Sequence, residues 1–404
     1  MYSNLRMLTV EEALAQILSR VKPLETERAD LFDALGRVLA EPIVSRREIP
    51  PWPNSSMDGY AVRSADSGDV ELAVVGRIAA GSMPARGVGP GETMRIFTGA
   101  PMPPGADAVV PQEDVVATDG HIRLSARVDP GAYVRLAGED VRVGDRVLDA
   151  GHVLGAAEIG LLATLGHTQV SVYRRPRVAV LSTGNELADL GTEPAAGQIP
   201  NTNTYSLMAQ IVEAGGEAIN LGVAPDRLDA IEERLRAGLD ADMLVSSAGV
   251  SVGELDLVKD ALTTLGAELH LWKVSMRPGK PITFGSVAGR PVFGLPGNPV
   301  SAMVTFELFV RPALRRLAGH RVLDRARIRA SAADRIANPG SRRGYLRVTL
   351  ARDAGRWTAT LTGDQGSAIL SSMVRADGLA VVPGDTIIEQ GEDVEIIVLK
   401  GLGG

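Results

Sequence analysis

The chain has 404 residues, 45% of them hydrophobic and 23% charged, a globular composition long enough for about two to four domains. It contains no cysteine, which removes disulfides, thiol nucleophiles, iron–sulfur ligation and thiolate zinc sites and suits a reducing cytoplasm, the expected location. A net charge of −7, with basic clusters as short as Arg174–Arg175 and Arg342–Arg343, disfavours nucleic acid as a partner; the N-terminus lacks a signal-peptide build, and no apolar run has the length of a membrane span.

Near the N-terminus, Thr9 followed three positions on by Glu12 predicts a capped helix with Leu14, Ile17, Leu18 and Val21 on one face. Residues 46–146 are rich in glycine, proline and short Val/Ile runs, the texture of a β-domain with many turns. Within it Gly87, Gly89 and Gly91 begin a dinucleotide fingerprint, but Glu92 stands where the third glycine belongs and no helical pattern follows, so the motif is rejected. A second short apolar helix, over Ala156–Leu165, carries Ile159, Leu161, Leu162 and Leu165, and is expected to pack with the first as one discontinuous unit.

From Arg177 to Arg316 the pattern alternates. Strands are predicted over Val178–Leu181, Ala218–Gly222, Asp242–Val245, Glu268–Val274 and Val292–Leu295. One helix places Leu207, Met208, Ile211 and Val212 before Gly215 and Gly216; another places Leu228, Ile231 and Leu235 before Gly238. This is a β/α layout, and in such sheets ligands gather outside the carboxyl ends of the strands. Here those ends carry Ser182–Glu186 (with Gly184), Asp226, the Ser246–Asp256 corner, Lys273–Lys280 and Leu295–Pro299 (with Pro296). Asn298 is the expected N-cap of a helix with Pro299 at its first position. The Ser246–Asp256 corner, with Gly249, Ser251, Gly253 and Asp256, suits an anion: a helix start offers unpaired N–H groups, glycines admit a phosphate, and a carboxylate can hold a hard cation against it.

Gly249–Gly253 also matches G-x-S-x-G, the nucleophile elbow of α/β-hydrolases. A hydrolase needs a histidine downstream, and only His270, inside a predicted strand, and His320, at a helix end among arginines, are available. The five histidines show no metal-ligand spacing, so zinc chemistry is not expected. No P-loop is present, since Gly279-Lys280 runs into Pro281. From about Arg327 onward β-like runs recur (Tyr345–Leu350, Trp357–Leu361, Leu379–Val382, Asp393–Leu399) and predict a small all-β domain.

Longer motifs carry a family resemblance. Residues 50–63 read PPWPNSSMDGYAVR, residues 96–110 read IFTGAPMPPGADAVV, and Gly138-Glu139-Asp140, Arg277-Pro278-Gly279-Lys280-Pro281 and Gly366-Ser367 follow in order. Together with the strand-end motifs, and over nearly the whole chain, they resemble the MoeA family, the molybdopterin molybdenumtransferases that also include the E domain of gephyrin. The resemblance implies a molybdopterin-binding three-layer α/β/α domain (173–325), a β-rich domain (46–146), a small helical linker domain (1–45 with 147–172) and a C-terminal β-barrel-like domain (326–404). It implies insertion of molybdate into adenylylated molybdopterin with release of AMP, helped by a divalent cation, for which Mg2+ is the expected ion. It also implies a homodimer whose active sites are shared between the α/β domain of one subunit and the β-domain of the other, with the molybdopterin adenylyltransferase as a further expected partner.

By the same resemblance Asp58, Thr98, Asp140, Glu186, Asp226, Asp256, Lys273 and Ser367 fall on site positions, and Arg135 and Arg347 on its basic positions. The chemistry agrees: a dianion and a pyrophosphate need a cationic wall, which Lys273, Arg277, Lys280, Arg135 and Arg347 can supply, while Glu186, Asp226 and Asp256 offer the oxygen ligands magnesium prefers. Three departures stand out: Arg277 where some relatives have lysine, Ala248 where glycine is expected, and Asn185 where an acid is common. A scaffold of this fold with a retired site and a serine hydrolase using Ser251 are the alternative readings.

Overall fold

A computed structural model describes residues 7–248, 257–353 and 355–401. The chain divides into two compact units, one formed by residues 1–29, 36–40 and 171–404, the other by residues 30–35 and 41–170. Among the described residues no helix is long and apolar enough to cross a membrane.

The larger unit is built on a six-stranded sheet in the order Glu217–Ala224, Arg177–Thr183, Met243–Ser247, Arg290–Leu295, Pro281–Val287 and Glu268–Lys273. The first four strands are mutually parallel. Strand Pro281–Val287 runs against both its neighbours, so Glu268–Lys273 points the same way as the parallel four. This reversed strand is absent from the sequence expectation; it opens on Pro281, a residue that a strand tolerates at its first position.

Alternation along the strands buries both faces of this sheet. Val178, Val180, Met243, Val245 and Phe293 enter one core with the helix Asn203–Glu213 and the helical run from Pro299 to Leu317. Ala179, Leu181, Leu244 and Val292 enter another with the helices Leu228–Ala237 and Leu257–Thr264. The three α/β/α layers follow from that two-sided burial. Each fully buried large side chain contributes about 1.5–3 kcal/mol.

The N-terminal helix, Val10–Leu18, has the capping box: Thr9 Oγ accepts from the Glu12 N–H and the Glu12 carboxylate accepts from the Thr9 N–H. Its buried Val10, Ala13 and Ile17, followed by Val21, join the α/β core. The second helix, Ala156–Thr164, belongs to the other compact unit. The small residues Ala13 and Val10 complete an apolar stripe that fits the α/β core, which hydrophobic periodicity alone cannot assign to a partner.

The strands Arg343–Asp353, Arg356–Leu361, Arg327–Ala332, Asp393–Val398 and Gly378–Val382 close into a five-stranded barrel through pairing of the first with the last. A short helix, Leu370–Arg375, interrupts this otherwise all-β region. In the smaller unit a six-stranded sheet runs Ala108–Pro111, Gly59–Val62, Glu92–Ile96, Val70–Ile78, His121–Leu124 and Val115–Thr118.

At the amino end of the central sheet, Asp242 accepts from both Arg174 Nη1 and Nη2, at 2.8 and 2.7 Å, and from the Arg177 N–H at 2.8 Å. Burial pushes the Asp242 carboxyl up, but the Arg174 guanidinium and the Arg177 N–H outweigh it and hold the group below the usual carboxylate range. With a depressed folded value, its stabilisation is complete above the unfolded pKa of about 3.9 and is lost as pH falls through the folded value. Asp242→Ala is expected to cost about 2 kcal/mol at neutral pH and to flatten the acid limb of a urea-unfolding pH profile. An unchanged profile would remove the pair from the stability account.

Candidate functional site at the carboxyl edge of the sheet

The loops after Thr183, Ala224, Ser247, Lys273 and Leu295 leave one edge of the sheet, because those five strands run in one direction. Gly184, at φ +147, lets the Glu186 carboxylate fold back over the backbone: a Cβ at that position would come within 2.4 Å of it. Asn185 then ties the loop to its neighbour. Its backbone N–H donates to Asp226 Oδ2 at 3.3 Å, and its Oδ1 accepts from the Asp226 N–H at 3.1 Å. An acid at position 185 would set a second carboxylate against Asp226; the asparagine makes the same bridge without that repulsion. Glu186 and Asp226 are both solvent-exposed on these joined loops.

Beside them opens a cleft of about 620 Å³, lined by Glu186, Asn203, Ser247, Ala248, Pro296 and Asn298 among others, within the size range of small-molecule sites. Asn203, at the start of its helix, donates to Ser247 Oγ and to the Gly297 carbonyl, both at 2.7 Å, and so joins three strand-end loops. The sequence reading missed Asn203, because an asparagine at a helix start looks like ordinary capping chemistry. Gly249, Ser251, Gly253 and Asp256 lie outside the described residues.

The Lys273–Lys280 segment turns back at this edge. Lys273 pairs with Pro281, and Met276–Arg277 adds a short parallel strand to the barrel sheet. Gly279 is required there: it has φ +100, and a Cβ would meet Thr305 Oγ at 2.4 Å. Arg277 and Lys280 are exposed, and Lys273 is half-buried.

Arg347, expected in the cationic wall, sits differently from Arg277 and Lys280. It is fully buried: alternation along its strand puts it on the face of Tyr345, which packs in the α/β core, while Leu346 and Val348 fill the barrel. Its Nε donates to Ser372 Oγ and its Nη2 to the Gly366 carbonyl, each at 3.0 Å, while Nη1 is buried without a partner. Burial, with Arg277 adding to the effect, pushes its pKa down to about 10, against the pull of Asp364. Arg347 thus braces the loop before Ser367. Ser367 Oγ accepts from Asn298 Nδ2 at 2.9 Å, and its carbonyl from the Val300 N–H at 3.1 Å. Asn298 is the N-cap by position, but its side chain goes to Ser367 and makes no cap bond.

In the smaller unit, Asp58 Oδ1 accepts from the Thr98 N–H at 2.8 Å and from the Thr98 hydroxyl at 2.7 Å. The N–H, then the hydroxyl, with Arg95 adding a weaker pull, hold Asp58 below the usual carboxylate range. Arg135 is exposed on a strand paired with Asn54, and Asp140 is exposed in a turn anchored by its N–H on the Ile49 carbonyl at 3.0 Å.

Neither downstream histidine suits a serine hydrolase. His270 lies within the strand Glu268–Lys273. His320 Nδ1 is 3.1 Å from Arg315 Nη2, and burial beside Arg315 and Arg311 pushes its pKa down to about 4, which makes it a poor base.

A sheet whose carboxyl edge presents acidic and basic loops beside a cleft, preceded in the chain by a β-rich unit and followed by a closed barrel, defines a multidomain α/β protein in which that edge is the place for a ligand. Family models agree along the chain: MoeA N-terminal region (domain I and II) over residues 8–166, probable molybdopterin binding domain over 179–316, and MoeA C-terminal region (domain IV) over 329–399. A Nostoc protein named molybdopterin molybdenumtransferase is 39% identical, over 93% of this chain and 89% of its own length. One from Haemophilus influenzae with the same name is 36% identical over 96% and 98%. A solved molybdopterin biosynthesis MoeA protein from Pyrococcus horikoshii superposes with a TM-score of 0.83 at 30% identity, covering 98% of this chain and all of the other. The chain belongs to the MoeA family of molybdopterin molybdenumtransferases.

Ala248 lines the cleft at φ +74, a left-handed conformation that disfavours a side chain. Ala248→Gly relieves that strain and gives back part of the gain as unfolded-state entropy, so the variant is expected to be more stable by about 0.5 kcal/mol. Denaturant titration checks it; a loss of stability would show that the methyl is held by packing.

Proposed function

We propose that this protein inserts molybdate into adenylylated molybdopterin with release of AMP, the closing step of molybdenum cofactor assembly, and that it does so as a homodimer. The reading rests on the family membership and on one observation: the exposed Glu186 and Asp226 sit on loops locked together by Asn185, on the same sheet edge as Lys273, Arg277 and Lys280. Opposite charges on one edge suit a substrate that carries both a pyrophosphate and a dianionic partner.

Among the described residues no group of three or more carboxylate or histidine side chains is placed to cage a metal. Two exposed carboxylates fit magnesium all the same, since it keeps several waters and is commonly held by one or two carboxylates together with substrate phosphates. Glu186 and Asp226, with Asp256 by resemblance, would hold it, and its chemistry would be to neutralise charge on the pyrophosphate. Arg277 and Lys280 bind the anions; the planar guanidinium of Arg277 can engage two oxygens at once. Arg347 keeps the Gly366–Ser367 loop against Asn298, and Asn203 keeps Ser247 against Gly297, so the cleft wall is set before substrate arrives.

Asp58, Thr98, Arg135 and Asp140 would complete the site from the other subunit, as the resemblance implies. Transfer of adenylylated molybdopterin from its adenylyltransferase is part of the same reading.

The direct test incubates the protein with adenylylated molybdopterin, molybdate and magnesium and follows AMP release and active cofactor together. Glu186→Ala and Asp226→Asn are each expected to lose most metal-dependent AMP release and to unfold as the parent does, because both carboxylates are exposed and the asparagine keeps an acceptor for the Asn185 N–H. Full turnover in both variants would take them out of the site. For the shared site, Asp58→Ala mixed with Glu186→Ala, after verified subunit exchange, should recover one intact site per heterodimer, roughly a quarter of parental sites. Heterodimers as inactive as both parents would place the two carboxylates in one subunit.

A further inference from the structure

We infer that Arg77 and Arg95, set over the Phe97 ring, form a second oxyanion site, on the smaller unit beside Asp58, taking a tetrahedral dianion: an inorganic oxyanion or the phosphate of a nucleotide monoester. Only the identity of that anion rests on the proposed function.

The site is created by a register shift. Strands Val70–Ile78 and Glu92–Ile96 are parallel, and their pairing slips between Val74 and Gly76, so that Arg77 falls opposite Arg95. Without that extra residue Arg77 would pair with Ile96 and point to the other face. The bulge therefore sets two like charges side by side, an arrangement that by itself destabilises a sheet. Across the next strand Arg95 lies opposite Tyr60.

Both guanidinium groups rest on aromatic rings. The Arg77 carbon is 4.6 Å from the Phe97 centroid, and the Arg95 carbon is 5.5 Å from Phe97 and 4.8 Å from Tyr60. Ring stacking orients a guanidinium while leaving its in-plane N–H groups free for an acceptor. Among the described residues neither arginine has a carboxylate at ion-pair distance. Arg95 donates to the Gln112 side chain. Asp58 feels Arg95 but turns its Oδ1 to Thr98. Two cross-strand guanidinium groups that share the Phe97 ring and have no carboxylate at ion-pair distance suit the oxygens of a tetrahedral dianion.

The test uses the full-length protein at low ionic strength, where exposed charges are least screened, and measures binding stoichiometry calorimetrically with molybdate, sulfate and AMP as separate probes. The parent is expected to bind two anions per chain, one at the Arg277–Lys280 edge and one here. The double variant Arg77→Gln/Arg95→Gln should lose one, its affinity falling about tenfold or more, while Arg77→Lys/Arg95→Lys keeps weakened binding. The control Arg277→Gln/Lys280→Gln should lose the other, so failure of the cleft reading and failure of this one give different patterns. Preference for AMP over molybdate and sulfate assigns a phosphate monoester; equal binding of the inorganic anions without AMP assigns an inorganic ligand. The inference is overturned if the glutamine pair keeps parental stoichiometry, or if it lowers Tm while leaving anion binding untouched, since the arginines would then serve only to pack on the rings.

Discussion

Because Arg177–Thr183, Glu217–Ala224, Met243–Ser247, Arg290–Leu295 and Glu268–Lys273 run in one direction, every loop that follows them emerges on the same edge. Backbone groups inside the sheet are consumed by the ladder, so the edge is where polar side chains can meet a ligand. The direction is held by two-sided burial: a strand with Val178 and Val180 in one core and Ala179 and Leu181 in another cannot slip by a residue without exchanging its faces, and reversal would break the parallel ladder. The reversed strand Pro281–Val287 is the one interruption, and it returns the chain from the Lys273–Lys280 turn into the sheet.

The polar side chains on this edge divide by exposure. Glu186, Asp226, Arg277 and Lys280 are exposed and keep their charge available. Arg347, Asn203 and Asn298 spend their donors on other loops. Burying the Arg347 guanidinium is costly, and the same burial pushes its pKa down. That cost is offset in part by its bonds to Gly366 and Ser372, and the outcome is a loop that holds Ser367 against Asn298. Exposed charges and loop-bridging donors are thus separated within one short stretch of space.

Backbone geometry is adjusted at the same places. Gly184 and Gly279 allow contacts that a Cβ would exclude, and Ala248 adopts a left-handed conformation at the cleft wall despite its methyl. Strain of this kind persists where surrounding structure over-determines it, which accords with its position beside the Ser247 and Gly297 contacts.

Much of this protein was legible in its residues. The Thr9–Glu12 capping box, the 2-residue and 3.6-residue periodicities, and the clustering of Gly184–Glu186, Asp226, Lys273–Lys280 and Leu295–Pro299 at strand ends are local signals, and local backbone physics is enough to read them. Long motifs such as PPWPNSSMDGYAVR carried the family. The tertiary structure alone decided the rest. It made Arg347 buried, because inside or outside for a strand residue depends on what packs above it. It joined the Val10–Leu18 helix to the α/β core, because an apolar stripe does not name its partner. It revealed the Asn203 and Asn185 bridges and the Arg77–Arg95 pair, because a hydrogen bond or a bulge between segments distant in sequence leaves no periodicity to detect.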